Sequence, residues 1–484
     1  MVFFRPVLFI QAFVLLVMAA MTVPPALIAV WWDNATAVRA FLWTGGTCLL
    51  FALPAFVVRR AQPLWLSSRQ MYLVTTVSWF VVSVAGSVPL YLLLPGISFT
   101  DALFESVSGV TTTGSTVLVG LDTMARSILL WRGLLQWLGG IGIIVLAIAI
   151  LPYLRIGGMR LFQTESSDWS EKRLPRTHNL IWAIGVVYLG ISCITALSYW
   201  LAGMGIFDAI VHSMTTVSTG GYANYDASLG HFNDNPLILW LSSLFMLLSA
   251  LPFLLYVNLL HGQVTRLVSD HQVRGFLIFG VMVAVVLSLE RSIAEHESVF
   301  DALTHSTFNV ISVITTTGYA SEDYTTWGNF AITVFFYLTF VGGCSGSTAG
   351  AIKIFRFQIG LMMLRNQLRQ MRHVHGVFTN FYNGRYVTDD IVRSVIAFSF
   401  YFALTVAVLA LSLSMCGLDF VTSVSAAATA VANVGPGLGD IIGPAGNFSS
   451  LPDAAKWSLT LGMLLGRLEI MTVLILLTPA FWRT

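Results

Sequence analysis

Four short runs of hydroxyl residues and glycine recur in this chain: Thr111-Thr-Thr-Gly114, Val217-Ser-Thr-Gly220, Ile314-Thr-Thr-Thr-Gly318 and Ala432-Asn-Val-Gly435. Each follows a similar lead-in. These are Phe99-Thr-Asp-Ala-Leu-Phe-Glu-Ser106, Phe207-Asp-Ala-Ile-Val-His-Ser213, Phe300-Asp-Ala-Leu-Thr-His-Ser306 and, in worn form, Leu418-Asp-Phe-Val-Thr-Ser423. The four glycines fall 106, 98 and 117 residues apart. Backbone carbonyls can replace the water around a dehydrated monovalent cation when successive residues turn them toward one axis. Glycine permits φ > 0 and close approach of backbones, and threonine packs a methyl group while offering a hydroxyl. The candidate coordinating residues are therefore Thr111, Thr112, Thr113 and Gly114; Ser218, Thr219 and Gly220; Thr316, Thr317 and Gly318; and Asn433, Val434 and Gly435. The plainer alternative for any single run is a turn at a helix C-terminus; four matched copies favour convergence on one centre.

Each lead-in predicts a short helix whose C-terminal carbonyls face the ion. Asp101, Asp208, Asp301 and Asp419 sit near the helix starts, where an acid caps the backbone or complements the dipole. The copies are unequal. Asn309 to Ser312 add about one helical turn to the third, and the fourth carries Val434 in place of threonine, followed by Pro436 and Gly437.

The elements that position these runs are membrane helices. The chain has 484 residues, 56% hydrophobic and 10% charged, against about 25% charged in soluble domains. About 20 apolar residues cross a bilayer. Ten spans are predicted, at 6–31, 40–58, 71–94, 128–152, 179–202, 236–260, 275–290, 330–362 (interrupted), 391–415 and 457–481. The fold class is all-α integral membrane, with ten transmembrane helices and four pseudo-symmetric helix–re-entrant loop–helix repeats around one pore. Residues 1–65 form an N-terminal pair of helices, and the repeats occupy 66–160, 161–262, 263–376 and 377–484. The apolar N-terminus continues past Pro24 and Pro25 to Trp32, so it reads as a retained span and not a signal peptide.

Nineteen of the 25 lysines and arginines fall on one predicted side, in clusters near 59–69, 155–176, 266–274 and 353–393. That side is cytoplasmic by the positive-inside rule, which puts both termini inside and brings all four loops in from the outer face. Acids such as Asp226, Asp234, Glu322 and Asp440 lie outside, where they would concentrate cations. The basic stretch near Arg365–Arg372 suits anionic lipid headgroups or, alternatively, a cytosolic regulator. Cys48, Cys193, Cys344 and Cys416 are scattered and read as small apolar residues with no disulfide framework. His212 and His305 recur at matching repeat positions and read as packing residues of the short helices. His373 and His375 are too few for a metal site.

The eighth span is interrupted by Phe340-Val-Gly-Gly-Cys-Ser-Gly-Ser-Thr-Ala-Gly350. Gly342, Gly343, Cys344, Ser345, Gly346, Ser347, Thr348 and Gly350 will not hold a regular helix. With Lys353, this stretch is a candidate gate below the third loop; the alternative is a small-residue packing face. Arg467 lies in an otherwise apolar span, and an intramembrane arginine marks a functional site by default. It would act as a barrier in the ion path, held by Glu469 or by carbonyls and hydroxyls of the 342–350 loop. A purely structural pair with Glu469 is the alternative.

These motifs resemble the Trk/Ktr/HKT superfamily of potassium transport proteins, and within it the bacterial TrkH subunits, over essentially the whole chain. The resemblance rests on the 340–350 stretch with Lys353, Gln136-Trp-Leu-Gly-Gly-Ile-Gly142, Asn433-Val-Gly-Pro-Gly437, Gly466-Arg-Leu-Glu469 and Pro479-Ala-Phe-Trp482. It implies potassium uptake across the bacterial inner membrane through one pore per subunit, closed by the intramembrane loop with Arg467. It also implies a homodimer, gated by a cytosolic TrkA-type ring that binds nucleotides. No cofactor is expected on this chain; potassium is the substrate. Ala351 departs from the glycine more usual in the family, and Gly114 stands where sodium-permeable members have serine.

Two other function classes fit the sequence less well. A proton- or sodium-coupled symporter needs buried carboxylates, and Glu105, Glu290 and Glu469 are few. An enzyme finds no support: there is no H-E-x-x-H, P-loop or nucleophile elbow. No basic pattern suits nucleic acid.

Overall fold

The computed structural model describes residues 4–57, 66–149, 173–294, 296–373, 376 and 378–483. The basic positions 59, 60, 155, 160 and 172, and His375, lie outside the described residues. The architecture is helical. Among the described residues the only strands are two-residue pairs, one of which, β1 (Val341–Gly342) with β2 (Ile352–Lys353), closes the base of the interrupting loop in parallel register.

The N-terminal helices α1 (Arg5–Met21), α2 (Val23–Trp32) and α3 (Ala35–Val57) pack together, with α1 against α4 (Ser68–Leu93). A capping box between Ser67 and Gln70 starts α4 by satisfying otherwise unpaired N–H groups. Four units then follow. The first is α4, the short helix α5 (Phe99–Val110) and α6 (Arg126–Ala149). The second is α7 (Arg173–Leu201), α8 (Ile206–Val217) and the pair α9 (Pro236–Ser249) and α10 (Phe253–Leu260). The third is α11 (His271–Ala294), α12 (Val299–Ile314), α13 (Asn329–Leu338) and α14 (Ile354–Arg372). The fourth is α15 (Asp389–Met415), α16 (Phe420–Ala432), α17 (Asp453–Arg467) and α18 (Met471–Leu474). Each of three short helices touches the outgoing helix of the unit before it: α8 on α6, α12 on α9, and α5 on α17, the last contact joining the fourth unit back to the first.

Seven helices or continuous helix pairs are long and apolar enough to cross a membrane, and two bent pairs bring the number to nine among the described residues. The predicted spans 236–260 and 457–481 are not straight. The first turns by 91° between α9 and α10, and the second by 101° between α17 and α18. Pro252 starts α10 in the first case. In the second, Glu469 takes a left-handed backbone (φ 57) that no α-helix accommodates. The predicted interrupted span 330–362 is a ten-residue helix, a loop and the 19-residue α14. The expected extra turn in the third unit is present, since α12 has 16 residues against 12 in α5 and α8.

Of the two roles expected for the four acids, Asp419 takes the cap, and Asp101, Asp208 and Asp301 stand in the first turn of their helices, where they complement the dipole. Asp419 accepts from the Thr422 N–H and lies below the usual carboxylate range because of those Thr422 hydrogen bonds. In the first and third short helices the cap is serine, and the acid stands three residues inside. Ser98 and Ser298 accept from the N–H of Asp101 and Asp301 and donate their hydroxyls back to the carboxylates. Asp208 instead accepts from the Asn224 amide and the Tyr225 hydroxyl, tying the helix start to the chain beyond its own loop.

Candidate functional site

The four short helices end alike. Thr112, Thr219, Thr316 and Asn433 all take left-handed backbone, with φ of 53, 50, 57 and 55. The next residue then donates its N–H five positions back, Thr113 to Ser108 O (2.9 Å), Gly220 to Thr215 O (2.8 Å), Thr317 to Ser312 O (2.8 Å) and Val434 to Thr429 O (3.1 Å). A second left-handed residue follows, always glycine: Gly114, Gly221, Gly318 and Gly435, with φ of 87, 79, 83 and 113. The register expected from the sequence is therefore one residue off in the second loop. Gly220 aligns with Thr113, and Gly221 with Gly114. Two signals in the sequence carry the true register: Gly221-Tyr222 matches Gly318-Tyr319, and Gly221 follows Asp208 at the interval at which Gly114 follows Asp101.

These glycines interlock around a closed circle. A Cβ added to Gly114 would lie 2.4 Å from Gly220 O; to Gly221, 1.9 Å from Thr317 O; to Gly318, 2.0 Å from Val434 O; and to Gly435, 2.7 Å from Thr113 O. Each loop thus presses its glycine against a carbonyl of the next, in the order one, two, three, four, one. The added Gly114 Cβ would also stand 3.5 Å from Thr317 O, so oxygens of the second and third loops converge. Ser115 Oγ donates to Gly435 O at 2.9 Å, and Asn433 Nδ2 donates to Thr113 Oγ1 and Met463 O at 2.9 Å, binding the first loop to the fourth. Thr111, Thr112, Thr113, Ser218, Thr219, Thr316, Thr317, Asn433 and Val434 are all buried. A close-packed ring of carbonyls inside apolar protein suits a cation that has shed its water.

A scaffold of buried polar contacts stands behind the ring. Glu105 accepts from Arg132 Nε at 2.8 Å and from Val117 N at 3.0 Å, and Arg132 Nη1 donates to Ala223 O at 3.0 Å. The guanidinium lies 4.1 Å from the Tyr222 ring centre, and the Tyr222 hydroxyl donates to Glu105 O at 2.7 Å. This buried pair ties α5 to the second loop. Breaking one partner leaves an uncompensated charge, at a cost of roughly 3–5 kcal/mol. Arg132→Met should therefore lower the thermal unfolding midpoint of the purified protein sharply, and adding Glu105→Gln should recover most of the loss. The histidines act as expected: His212 Nε2 accepts from Asn224 N (3.3 Å), and His305 Nδ1 meets Ser321 Oγ (2.9 Å), each fixing the chain after its loop. The outer acids are partly committed. Asp226 accepts from Gly120 N and Leu121 N, and Glu322 pairs with Arg291 and His305.

The glycine-rich stretch after α13 forms a non-helical loop bonded to several neighbouring elements. Cys344 N donates to Ala250 O (2.9 Å), Ser345 N to Gln272 Oε1 (2.9 Å), and Thr348 Oγ1 to Ser249 O (3.0 Å). Gly346 O accepts from Phe253 N at 3.0 Å. Its far end touches the ring's supports: Gly350 N donates to Thr316 Oγ1 at 2.6 Å and Ala351 N to Ala432 O at 2.8 Å. A side chain on Gly342 or Gly343 would strike backbone, at 2.2 Å from Gly350 O and 2.8 Å from Ala250 O respectively, so both glycines are required by close approach. Ser347 Oγ donates to Cys344 O, and Lys353 Nζ reaches Ala349 O. Ala351 takes φ 52, which is why glycine suits that position and alanine holds it at a strain of about 1–2 kcal/mol.

Arg467 donates from Nη1 to Thr348 O at 3.0 Å, while its Nε and Nη2 are buried without a partner. The pairing of Arg467 with Glu469 expected as one alternative is absent. Glu469 is held by Arg356 at 2.7 Å, and the Arg356 guanidinium lies 3.5 Å from the Phe398 ring centre. The left-handed turn at Glu469 bends the chain by 101° there, and Arg467 faces the 342–350 loop while Glu469 faces α14. All four cysteines are free thiols, and the described residues hold no cluster of three or more metal-ligating side chains.

Apolar spans enclosing four helix C-termini and a carbonyl ring define a membrane cation transport protein, and the family model for TrkH cation transport proteins matches residues 40–483. The chain is 53% identical over 478 residues to the Trk system potassium uptake protein TrkI of Halomonas elongata, covering 99% of this chain and 97% of that one. It is 36% identical to TrkH of Vibrio parahaemolyticus, covering 99% and 100%. The crystal structure of the potassium transporter TrkH from Vibrio parahaemolyticus superposes with a TM-score of 0.91 at 35% identity, over 99% of this chain and 100% of that chain. This chain belongs to the TrkH family of Trk system transport proteins.

Proposed function

We propose that this chain carries potassium into the cell across the bacterial inner membrane, through one pore lined by four pseudo-symmetric helix–loop–helix units. The observation that carries this reading is the closed circle of glycine–carbonyl contacts. The oxygens of Thr113, Gly220, Thr317 and Val434 form one layer of the potassium filter, with the hydroxyls and carbonyls of their neighbours above and below. The plug at 342–350 is the gate, and Arg467 locks it from the opposite side. Both termini are cytoplasmic, two chains form a homodimer, and a cytosolic TrkA-type nucleotide-binding ring controls opening. α14 supports that coupling: it begins at the gate's Lys353 and runs to a cationic end at Arg369 and Arg372.

A proton- or sodium-coupled symporter is the second reading. Two of its candidate carboxylates, Glu105 and Glu469, are already committed to buried arginines, which favours a conducting pore. Expression in a potassium-uptake-deficient bacterium should restore growth at limiting potassium, more strongly with a TrkA-type partner. Rubidium entry into liposomes without a proton or sodium gradient should persist. Strict dependence on either gradient overturns the pore reading in favour of coupling.

A further inference from the structure

Gln136 lies on α6 and is fully buried behind the second loop. Its Oε1 accepts from the Tyr222 N–H at 3.1 Å, and its Nε2 donates to Gly220 O at 2.5 Å. The two partners settle which way the amide faces, since a backbone N–H only donates and a carbonyl only accepts. Gly220 O is one of the four ring oxygens. Among the described residues, the equivalent oxygens of Thr113, Thr317 and Val434 accept no hydrogen bond from a side chain or from the backbone.

Residue type accounts for the difference. Three loops carry a β-branched residue at this layer, which narrows the local backbone. The hydroxyls of Thr113 and Thr317 are further tied to those of Thr111 and Thr315, at 2.7 and 2.8 Å. The second loop has Gly220 followed by Gly221, two residues without a Cβ, so their shared peptide is the least restrained in the ring. Gly220 does not take a left-handed φ, so its own backbone does not demand glycine. The neighbouring helix does: a Cβ there would fall 2.4 Å from Gln136 Cδ. The glutamine amide occupies the space that a threonine or valine side chain fills in the other loops.

We propose that Gln136 is a positioning residue that sets cation selectivity, standing in from α6 for the side chain that the second loop lacks and holding the Gly220 oxygen in the ring. This rests on the reading of the ring as a potassium filter. Without the amide the Gly220–Gly221 peptide can turn its oxygen away. The coordination layer then loses number and stiffness, and the smaller sodium ion gains.

Purified protein in liposomes, with rubidium and sodium entry measured in parallel, tests this. Gln136→Glu keeps the size and the bond from Tyr222 N but replaces the donor with an acceptor. Its rubidium-to-sodium ratio should fall roughly three- to tenfold, the factor carried by one lost hydrogen bond. Gln136→Ala should do the same, and adding Gly220→Thr to it should restore the ratio, because the loop regains its own side chain. Gly220→Thr alone should lose transport, having no room. An unchanged ratio in Gln136→Glu overturns the proposal, as does a double variant no more selective than Gln136→Ala. A wild-type protein that shows no preference for rubidium removes the filter reading itself, a different failure.

Discussion

Gly114→Ser should turn a potassium-preferring protein into one that admits sodium, with roughly a tenfold or greater loss of discrimination. Two effects act together. Gly114 has φ 87, where any side chain costs about 1–2 kcal/mol. The new Cβ would also stand 2.4 Å from Gly220 O and 3.5 Å from Thr317 O, so the loops must part. A strain of 1.4 kcal/mol already corresponds to a factor of ten, and relief comes by widening the ring proposed as the filter. The same logic ranks the second loop. Gly221→Ala should be at least as damaging, because its Cβ would meet Thr317 O at 1.9 Å. The measurement is sodium competition against rubidium uptake in cells or liposomes. Unchanged discrimination in both variants would show that the ring does not select the ion.

Much of this arrangement was legible because the short helices and their loops are encoded locally. Lead-in, acid, hydroxyl run and glycine lie within at most 19 residues, from Phe300 to Gly318 in the longest copy, and their recurrence between apolar spans survives without any knowledge of contacts. The register of the second loop is ambiguous by one residue because Gly220 and Gly221 are chemically identical in a sequence; the backbone dihedrals, the tyrosine that follows and the interval from Asp208 separate them. Sequence left open whether the acids cap the helices or complement their dipoles; Ser98 and Ser298 take the cap position, so Asp101 and Asp301 stand in the first turn, where they complement the dipole. Glycine density marked the interruption after α13, but its anchors lie far along the chain, on Ala250 and Ala432 of other units and on Gln272 and Thr316 earlier in its own, and leave no local trace. The bend at Glu469 was hidden for a related reason. The residues around it are apolar enough to read as one span, and the left-handed turn is imposed by partners on α14 and in the plug.

Arg467→Ala should raise flux in the absence of any regulator, by at least about tenfold. The guanidinium is buried, holds the plug through Thr348 O, and leaves Nε and Nη2 without partners. An uncompensated positive charge opposes a cation directly. Two unit charges about 6 Å apart at an effective dielectric of about 20 repel by roughly 3 kcal/mol, enough for a factor above a hundred. On the proposed role, removing the side chain takes away both a barrier to the ion and one anchor of the 342–350 loop, while Glu469 and Arg356 keep their own bond. Arg467→Lys retains the charge and loses the fork, so its flux should lie between wild type and alanine. Rubidium entry into liposomes holding only this chain is the direct measurement. A fall or no change for Arg467→Ala, with the protein still folded, would assign Arg467 to structure and leave the closure of the pore to the glycine-rich plug alone.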